Sequence, residues 1–572
     1  MKRIKGISVS DGVAIGYARI VEKEHIHIET KKIAKTVVNK ELKRFHKDVE
    51  YVINELNTFI QDDSFSKENR DILTTHKMIL QDPAFIKRVK ELITQKLFSL
   101  EHAVSTYFTE VVNIFDAMEN EYYSQRLTDF EDVAYRLLSH SMNKSKDVLA
   151  KLDDKSILIM KNITPSFVTK VFEKNIRGLC TEKGSKNSHS SIIARSMNLP
   201  MLVGISGLLE NINEGEQIIV DGNNGEIIIF PSSNVLAEYK SIYLQESQKR
   251  KKLQKLINVK AITLDNKEIT LMSNIELPEE IDQVIKNNSR GIGLFRTEFL
   301  FMDTEKLPTE EEQYKIYKKI AEKLAPEPVI IRTIDVGGDK LSSILNIVHE
   351  ENPNLGFRGI RISLANIPIF RRQIRAILRA NTQGNVKIMF PMISGVEEIL
   401  QVKKIIEECK NELKKKKIAL YKDIEIGAMI EVPSAVITSD ALAKECDFLS
   451  IGTNDLVQYL LAVDRDNESI SSYYKSCHPS VLKAIKQTVD NAHANGIKVA
   501  VCGEMASDTQ YVKLLLGLGV EELSVSPGRI LMTKNEIINC HVQKWAKLVE
   551  ELMELKTSDE IYERLNDGKN YE

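Results

Sequence analysis

The sequence lacks the features of a membrane-spanning or exported protein. None of its apolar stretches approaches the roughly 20 residues needed to cross a bilayer. The opening MKRIKGISVSDGVAIG contains neither the apolar core nor the cleavage site of a signal peptide. We therefore expect a cytoplasmic protein that does not insert into membranes.

Paired cysteines, a strong net charge and nucleotide motifs are also missing. The six cysteines in 572 residues include no C-x-x-C pair, so neither a disulfide framework nor a zinc site is indicated. The 79 lysines and arginines nearly balance the 81 aspartates and glutamates, which argues against nucleic acid as the main partner. GIGLFR lacks the third glycine of a dinucleotide fingerprint and VGGDK lacks the spacing of a P-loop, so no motif predicts binding of NAD or ATP.

The spacing of apolar residues changes twice in the first half of the chain. Alternation in ISVSDGVAIGYARIV predicts a pair of strands joined by a turn at Asp11-Gly12. From about residue 31 to 144, apolar residues recur at helical spacing with breaks at QDDSFS, QDPAF and AMENEY, which predicts a bundle of about four helices. Strand-like runs ILIM, IRGLC, PMLVGI, QIIVDG and EIIIFP then return, with a helical stretch near 189–197. We predict one α/β domain over 1–22 and 146–230, interrupted by a helical insertion over 23–145.

The second half is more regular. A charged helical stretch over 231–260 is typical of a linker. Over 261–572, helical stretches alternate with eight apolar strand candidates: ITLMSN, GIGLFRTE, PVIIRTIDV, VKIMFPMI, IGAMIEVP, DFLSIGTND, KVAVCGEM and ELSVSP. This pattern predicts a closed (β/α)8 barrel with its active site at the carboxyl ends of the strands. A doubly wound open sheet is the alternative on pattern alone.

Polar residues stand where the apolar runs of the predicted barrel stop. One such residue usually caps a helix or faces solvent, but several would converge on one barrel mouth. They are Asn274, Arg296, Arg332, Glu431, Asn454 with Asp455, and Cys502 with Glu504.

The residue types at these positions suit a phosphorylated acid. Arginines offer planar pairs of donors for phosphate and carboxylate groups, and four are available: Arg296, Arg332, Arg358 and Arg465. Glu431 and Asp455 follow adjacent strands and are hard oxygen ligands of the kind that Mg²⁺ takes. The sequence therefore predicts a phosphate-bearing ligand bound together with magnesium.

A nucleophile is predicted in the first half. GLCTEKGSKNSHSSIIARS places His189 near the start of a predicted helix, after the Gly184-Ser185 loop. A helix start offers free N–H groups to a phosphoryl group, and a neutral imidazole is a competent nucleophile. A single histidine is more often structural, so its position alone leaves the role open.

The chain resembles enzyme I of the bacterial phosphotransferase system, the phosphoenolpyruvate-protein phosphotransferases, over nearly its whole length. The stretch SHSSIIARSMNLPMLVG matches the surroundings of the family's phosphoryl acceptor, and DILTTHKMILQDPAF and YYSQRLTDFEDVAYRLL match its helical insertion less closely. The matching barrel stretches occur in order: GIGLFRTEFLFM, RTIDVGGDK, ENPNLGFRGIRI, IMFPMI, IEVPSA, SIGTNDLVQYLLAVDR and VCGEMA.

This resemblance implies a reaction and a role for each matching residue. His189 would accept the phosphoryl group of phosphoenolpyruvate, release pyruvate and pass the group to the carrier protein HPr for sugar uptake. Glu431 and Asp455 would hold Mg²⁺, and Cys502 would protonate the enolate carbon. Phosphoenolpyruvate would be bound by Arg296, Arg332, Lys340, Arg358, Asn454, Asp455 and Arg465.

The resemblance also implies a moving architecture. A phosphohistidine α/β domain would swing between the barrel mouth and the helical insertion that binds HPr, with 231–260 as the mechanical link. The barrel would form a homodimer.

The match is weakest around the nucleophile. The family usually has Gly-Gly-x-Thr-Ser-His, whereas this chain has Ser185 for the second glycine and Asn187 for the threonine. Val168 stands where many members have a threonine whose hydroxyl orients the histidine ring. Ser185 would restrict the loop if a positive φ is needed there.

Two alternatives stay open at this stage. Pyruvate phosphate dikinase and phosphoenolpyruvate synthase share a swivelling histidine domain and a barrel, but they need a large nucleotide-binding domain, and nothing before residue 150 resembles one. A regulatory paralogue that binds the ligand and transfers phosphate poorly would account for the altered loop.

Overall fold

The structure is a computed structural model that describes residues 1–10, 12–21, 30, 32–61, 67–116, 130, 133–142, 152–161, 176–184, 199–301, 307–337, 352–421, 423–465 and 467–568. These residues form two compact units, Met1–Lys249 and Arg250–Glu572. Among them, no helix combines the length and the apolar character that crossing a bilayer requires.

The first unit contains an eight-stranded sheet. Its strands are β1 (Lys2–Lys5), β2 (Ile7–Ser10), β3 (Val13–Val21), β4 (Ser156–Met160), β5 (Gly178–Thr181), β6 (Met201–Val203), β7 (Gln217–Asp221) and β8 (Glu226–Ile229). The order across the sheet is β1-β8-β7-β3-β4-β5-β6-β2, with β3 to β6 parallel. Continuous apolar runs such as SILIM are buried along their whole length, as expected of central strands.

The predicted pairing of the first strands is wrong. β3 lies between β4 and β7, while β2 pairs with β6 at the edge of the sheet. Gly12 has φ of 109°, donates its N–H to Asn223 Oδ1 at 2.8 Å, and accepts the N–H of Gly222 at 2.8 Å. These bonds join Gly12 to the connection between β7 and β8. As a result β3 does not pair with β2 as a hairpin would require.

The insertion between β3 and β4 is helical, as predicted. The described helices are α1 (Val38–Gln61), α2 (Lys67–Gln81), α3 (Pro83–Gln95) and α4 (Leu100–Asp116), and residues 133–141 are helical too. The break at QDPAF occurs because Asp82 caps α3 by accepting the N–H of Ala84 at 2.7 Å and Pro83 begins the helix. A further break at 96–99 was not predicted, and the breaks at QDDSFS and AMENEY lie largely outside the described residues.

The stretch predicted as a linker contains the helix Ser233–Gln254. Val235, Leu236 and Ile242 pack beside Tyr239 against the sheet, and the Tyr239 hydroxyl donates to Asp221 Oδ2 at 2.8 Å. The first half of this helix is therefore fixed to the first unit.

The second unit is a closed parallel barrel, so the fold class is confirmed and the open sheet is excluded. Its strands are β9 (Thr270–Ile275), β10 (Ile292–Phe295), β11 (Val329–Arg332), β12 (Val386–Phe390), β13 (Ile426–Ile430), β14 (Phe448–Ile451), β15 (Lys498–Val501) and β16 (Glu522–Val525). All eight predicted strand candidates correspond to these strands. β16 pairs with β9 and closes the ring.

Helices surround the barrel and follow its strands. Their apolar faces form one large core with the outward-facing residues of the strands. The described helices are Ile281–Lys286, Glu310–Leu324, Ile360–Ala365, Ile367–Ala380, Val396–Lys415, Pro433–Ile437, Ser439–Glu445, Thr453–Leu461, Pro479–Ala494, Glu504–Ser507, Thr509–Gly517, Ile530–Ile538, Val542–Glu554 and Ser558–Gly568, and the first unit adds Leu208–Asn211.

A buried glutamine ties two strand ends to this helical layer. Gln373, in the helix Ile367–Ala380, accepts the N–H of Ile334 at 3.1 Å. Its amide donates to Thr297 Oγ1 at 3.1 Å and to the Tyr317 hydroxyl at 3.3 Å. The loops after β10 and β11 are thereby held at fixed positions.

Replacing Gln373 with Leu will destabilise the barrel because the Ile334 N–H stays buried without a partner. We expect a loss on the order of 2 kcal/mol in the free energy of unfolding, measured in urea. The control is Gln401→Leu, on the exposed side of the helix Val396–Lys415. Equal stability of the two variants would contradict this role for Gln373.

Candidate active site

The carboxyl ends of the barrel strands carry the polar residues that the sequence predicted for the site. Because the strands are parallel and the barrel is closed, these ends meet at one mouth. The structure places Asn274 in β9, Arg296 after β10, Arg332 at the end of β11, Glu431 after β13, Asn454 with Asp455 after β14, and Cys502 after β15.

Asp335 is the centre of the buried charge at this mouth. Arg332 Nη1 lies 3.1 Å from its Oδ2, and Arg358 contacts both oxygens, at 3.2 Å from Nε and 3.0 Å from Nη2. Burial would raise the pKa of the Asp335 carboxyl, but the two guanidinium groups outweigh burial and lower that pKa. Asp335 is therefore an ionised counter-charge shared by two arginines.

Glu298 completes the surroundings of Arg332. Its Oε1 lies 3.0 Å from Arg332 Nη2 and accepts the backbone N–H of Asp335 at 2.8 Å. Burial would lower the pKa of Arg332, but the carboxylates of Glu298 and Asp335 raise it, so the guanidinium stays charged. Its buried Nε has no hydrogen-bond partner among the described residues.

Asp455 links the other arginines to the site. Its Oδ1 lies 3.1 Å from Arg358 Nη1, and its Oδ2 lies 3.8 Å from Arg465 Nη1. Arg358 Nη1 also donates to the Tyr459 hydroxyl at 3.2 Å. Three arginines therefore reach one connected set of carboxylates.

Glu431 is the most deeply buried of the predicted ligands. Its Oε1 accepts the N–H of Met392 at 2.6 Å. Burial and then the nearby carboxylates of Asp455 and Asp335 raise the pKa of Glu431 to about 8. Gly452 makes room for this side chain, since a Cβ there would lie 2.7 Å from Glu431 Oε2.

The remaining predicted residues at the mouth have less charged surroundings. Arg296 is half-exposed and pairs with Glu276. Asn274 donates to the carbonyl groups of Cys502 at 2.9 Å and Ser524 at 3.0 Å, so it binds neighbouring strand ends together. Asn454 Oδ1 accepts the N–H of Glu504 at 2.9 Å.

Cys502 lies at the floor of the mouth. It is buried among the side chains that fill the barrel, including Met389, Met429 and Phe448. Burial raises the pKa of its thiol. The apolar environment therefore favours the protonated thiol.

Two predicted residues lie outside the described residues. They are His189 and Lys340. Their roles remain predictions from the sequence. The three positions at which the chain departs from the family pattern, Ser185, Asn187 and Val168, lie outside the described residues as well.

Glu298 and Asp335 are site residues that the sequence reasoning missed. Each follows a strand-end arginine at short spacing, Arg296-Thr-Glu298 and Arg332-Thr-Ile-Asp335, inside the matching stretches GIGLFRTEFLFM and RTIDVGGDK. For Asp335 this spacing is a usable signal, because a carboxylate three residues after a buried arginine can be its counter-charge. For Glu298 it is not, since Glu298 pairs with Arg332 and the nearby Arg296 pairs with Glu276.

Glu431 and Asp455 fit Mg²⁺ bound together with a phosphate. The described residues contain no group of three or more His, Cys, Asp or Glu side chains arranged for a metal ion. Magnesium takes one or two protein carboxylates and completes its shell with water and phosphate oxygens. A divalent cation would also offset the repulsion between the Glu431 and Asp455 carboxylates.

Family models match three parts of the chain. They are described as the PEP-utilising enzyme PEP-binding domain over residues 250–542, the PEP-utilising enzyme N-terminal region over 5–126, and the PEP-utilising enzyme mobile domain over 152–225.

Curated relatives match the chain from end to end. A phosphoenolpyruvate-protein phosphotransferase of Priestia megaterium is 37% identical over 98% of this chain and 98% of its own length. One from Staphylococcus aureus is 37% identical over 99% of both chains, and one from Listeria innocua is 37% identical over 98% of both. A solved NMR structure of an Enzyme I protein is 29% identical and covers 43% of this chain and 99% of that chain, with a TM-score of 0.36, which is too low to support a structural argument.

Glu431 will make the barrel less stable at high pH in metal-free buffer. The pKa of Glu431 is about 8 in the folded protein, which is above the pKa of a glutamate in the unfolded chain. Between these two pKa values the folded protein holds a proton that the unfolded chain has released. Stability therefore falls as pH rises through that window. From pH 6 to 9 we expect the wild type to lose about 2 kcal/mol more than Glu431→Gln, measured by urea unfolding in EDTA.

The control for this measurement is Glu504→Gln, which changes an exposed carboxylate at the same mouth. It should follow the wild type. A pH dependence that Glu431→Gln leaves unchanged would contradict the buried, protonated state of Glu431.

Proposed function

The chain belongs to the phosphoenolpyruvate-protein phosphotransferase family, and on that premise we propose that it takes a phosphoryl group from phosphoenolpyruvate on His189 and passes it to HPr. The observation that carries this proposal is the barrel mouth, where ionised arginines, buried carboxylates and a buried thiol lie at the carboxyl ends of the strands. Such a mouth suits a small dianion that must also receive a proton.

Phosphoenolpyruvate binding is assigned to the arginines. Arg332 and Arg358 are held by Asp335 at the carboxyl ends of the strands, and Arg296 and Arg465 are half-exposed. Planar guanidinium groups bind phosphate and carboxylate oxygens in pairs. By the family resemblance Lys340, Asn454 and Asp455 complete this set.

Glu431 and Asp455 are the proposed ligands of Mg²⁺. When bound, the ion supplies positive charge that neutralises phosphate oxygens and the developing enolate. Asp455 already contacts Arg358 and Arg465, so the carboxylate and the phosphate-binding guanidinium groups are positioned together.

The chemistry needs a nucleophile and an acid. A ring nitrogen of His189 attacks phosphorus in line, the bond from phosphorus to the enol oxygen breaks, and its electrons leave on that oxygen. The Cys502 thiol then gives its proton to the terminal carbon, which produces pyruvate. Protonation at carbon makes the transfer favourable because the enolate is consumed.

The architecture suits transfer to a protein. We assign the α/β domain over 1–22 and 146–230 as the carrier of His189, the helical insertion over 23–145 as the HPr-binding part, and 231–260 as the link to the barrel over 261–572. Movement of the histidine domain between donor and acceptor sites follows from this assignment. As the resemblance implies, the protein acts as a cytoplasmic homodimer through its barrel.

Incubation with phosphoenolpyruvate labelled in its phosphate tests this function. With Mg²⁺ the wild type should acquire acid-labile label, and added HPr should remove it. His189→Ala should acquire none, while His493→Ala, which changes a half-exposed histidine of the barrel, should be labelled normally.

Two results would overturn the proposal. An unlabelled wild type that still binds phosphoenolpyruvate would favour a binding or regulatory protein with an altered histidine loop. Formation of ATP from phosphoenolpyruvate and AMP would favour the nucleotide-dependent enzymes.

A further inference from the structure

A buried serine on the inner face of the barrel contacts the proposed acid. Ser450 lies in β14, where it is fully buried and stands opposite Ala500 of β15. Its hydroxyl donates a hydrogen bond to Cys502 Sγ at 3.3 Å. The sulfur in turn lies 3.7 Å from the carbonyl oxygen of Ile451, which accepts from the thiol.

The thiol is the only partner that the described contacts give to the Ser450 hydroxyl. Met429 stands opposite Ser450 in the neighbouring strand, and Cys502 packs with Met429, Met389 and Phe448, none of which offers a strong acceptor. A hydroxyl buried in an apolar layer costs free energy unless it is hydrogen-bonded. Its placement is therefore explained by the sulfur that it contacts.

We propose that Ser450 is a positioning residue that orients the Cys502 thiol and stabilises the thiolate left after the carbon is protonated. This inference rests on the proposed function, because it requires Cys502 to act as the acid. A serine that only filled space in the barrel would not need to hydrogen-bond the sulfur.

Transfer of the proton from the thiol to carbon leaves a thiolate that needs a hydrogen-bond donor. The electron pair of the enolate double bond forms the new C–H bond, the S–H bond breaks, and its electrons remain on sulfur. The sulfur returns to the thiol by taking a proton from water after pyruvate leaves. Among apolar neighbours the intermediate thiolate would be costly without a donor aimed at it.

Other charged groups act on the sulfur from a longer range. The Arg332 and Arg296 guanidinium groups favour the thiolate, and the Glu431 carboxylate disfavours it. None of these three makes a hydrogen bond to Sγ among the described contacts. Ser450 is the direct donor.

The test is steady-state turnover of phosphoenolpyruvate with HPr and Mg²⁺, together with the solvent deuterium isotope effect on kcat. For Ser450→Ala we expect kcat to fall about tenfold to 100-fold, as loss of a hydrogen bond to a charged group predicts. KM should change little, and the isotope effect should rise because proton transfer from sulfur becomes limiting. Ser450→Thr, which keeps the hydroxyl, should recover most of kcat.

The matched control is Ser439→Ala, which removes another fully buried serine hydroxyl, one that donates to the carbonyl of Val436 at 2.8 Å and accepts from the Asn491 amide at 2.8 Å, away from Cys502. It should turn over like the wild type. The inference is wrong if Ser450→Ala keeps the wild-type kcat, or if its kcat falls with no rise in the isotope effect. If the added methyl group prevents Ser450→Thr from folding, the isotope effect of Ser450→Ala decides alone.

Labelling of the wild type separates this inference from the proposed function. Absence of acid-labile label on the wild type would remove the proposed function and this inference together. Normal labelling of the wild type with an unaltered Ser450→Ala would remove only the role of Ser450.

Discussion

The shared ion pairs of Asp335 are the interaction on which the barrel mouth depends. Two guanidinium groups are buried there, and each would be costly without a counter-charge. Asp335 serves Arg332 and Arg358 together, and its own N–H is held by Glu298. This arrangement keeps the arginines ionised and in place, so the proposed binding of an anion would need little reorganisation.

The mouth combines two environments that suit different steps of the proposed reaction. At the rim, arginines and carboxylates form a polar layer suited to phosphate and a cation. Below it, Cys502 lies among apolar side chains that favour its protonated thiol, which the proposed acid role requires. Burial and neighbouring carboxylates raise the pKa of Glu431 and favour its protonated form, and the proposed cation would compensate them.

The sequence predicted the barrel more completely than its site. Eight apolar runs with polar ends determine strands, their order and the common mouth, because that periodicity has few structural solutions. The hairpin predicted at Asp11-Gly12 failed because local turn chemistry says nothing about which distant strand offers a better partner, and β3 pairs with β4 and β7. Glu298 and Ser450 were missed because their partners, Arg332 and Cys502, lie at the ends of neighbouring strands, and such contacts cannot be inferred from spacing along the chain. Asp335 lies only three residues after Arg332, so this counter-charge could have been inferred from its spacing.

The free energy of unfolding of Asp335→Asn tests this account most directly. Removal of the shared charge leaves Arg332 and Arg358 buried without compensation, so we expect a loss on the order of 3 kcal/mol in the free energy of unfolding. Asp447→Asn, an exposed position at the opposite end of the barrel before β14, is the control and should lose much less. If Asp335→Asn unfolds at the same urea concentration as Asp447→Asn, the arginines do not depend on Asp335 and the account is contradicted.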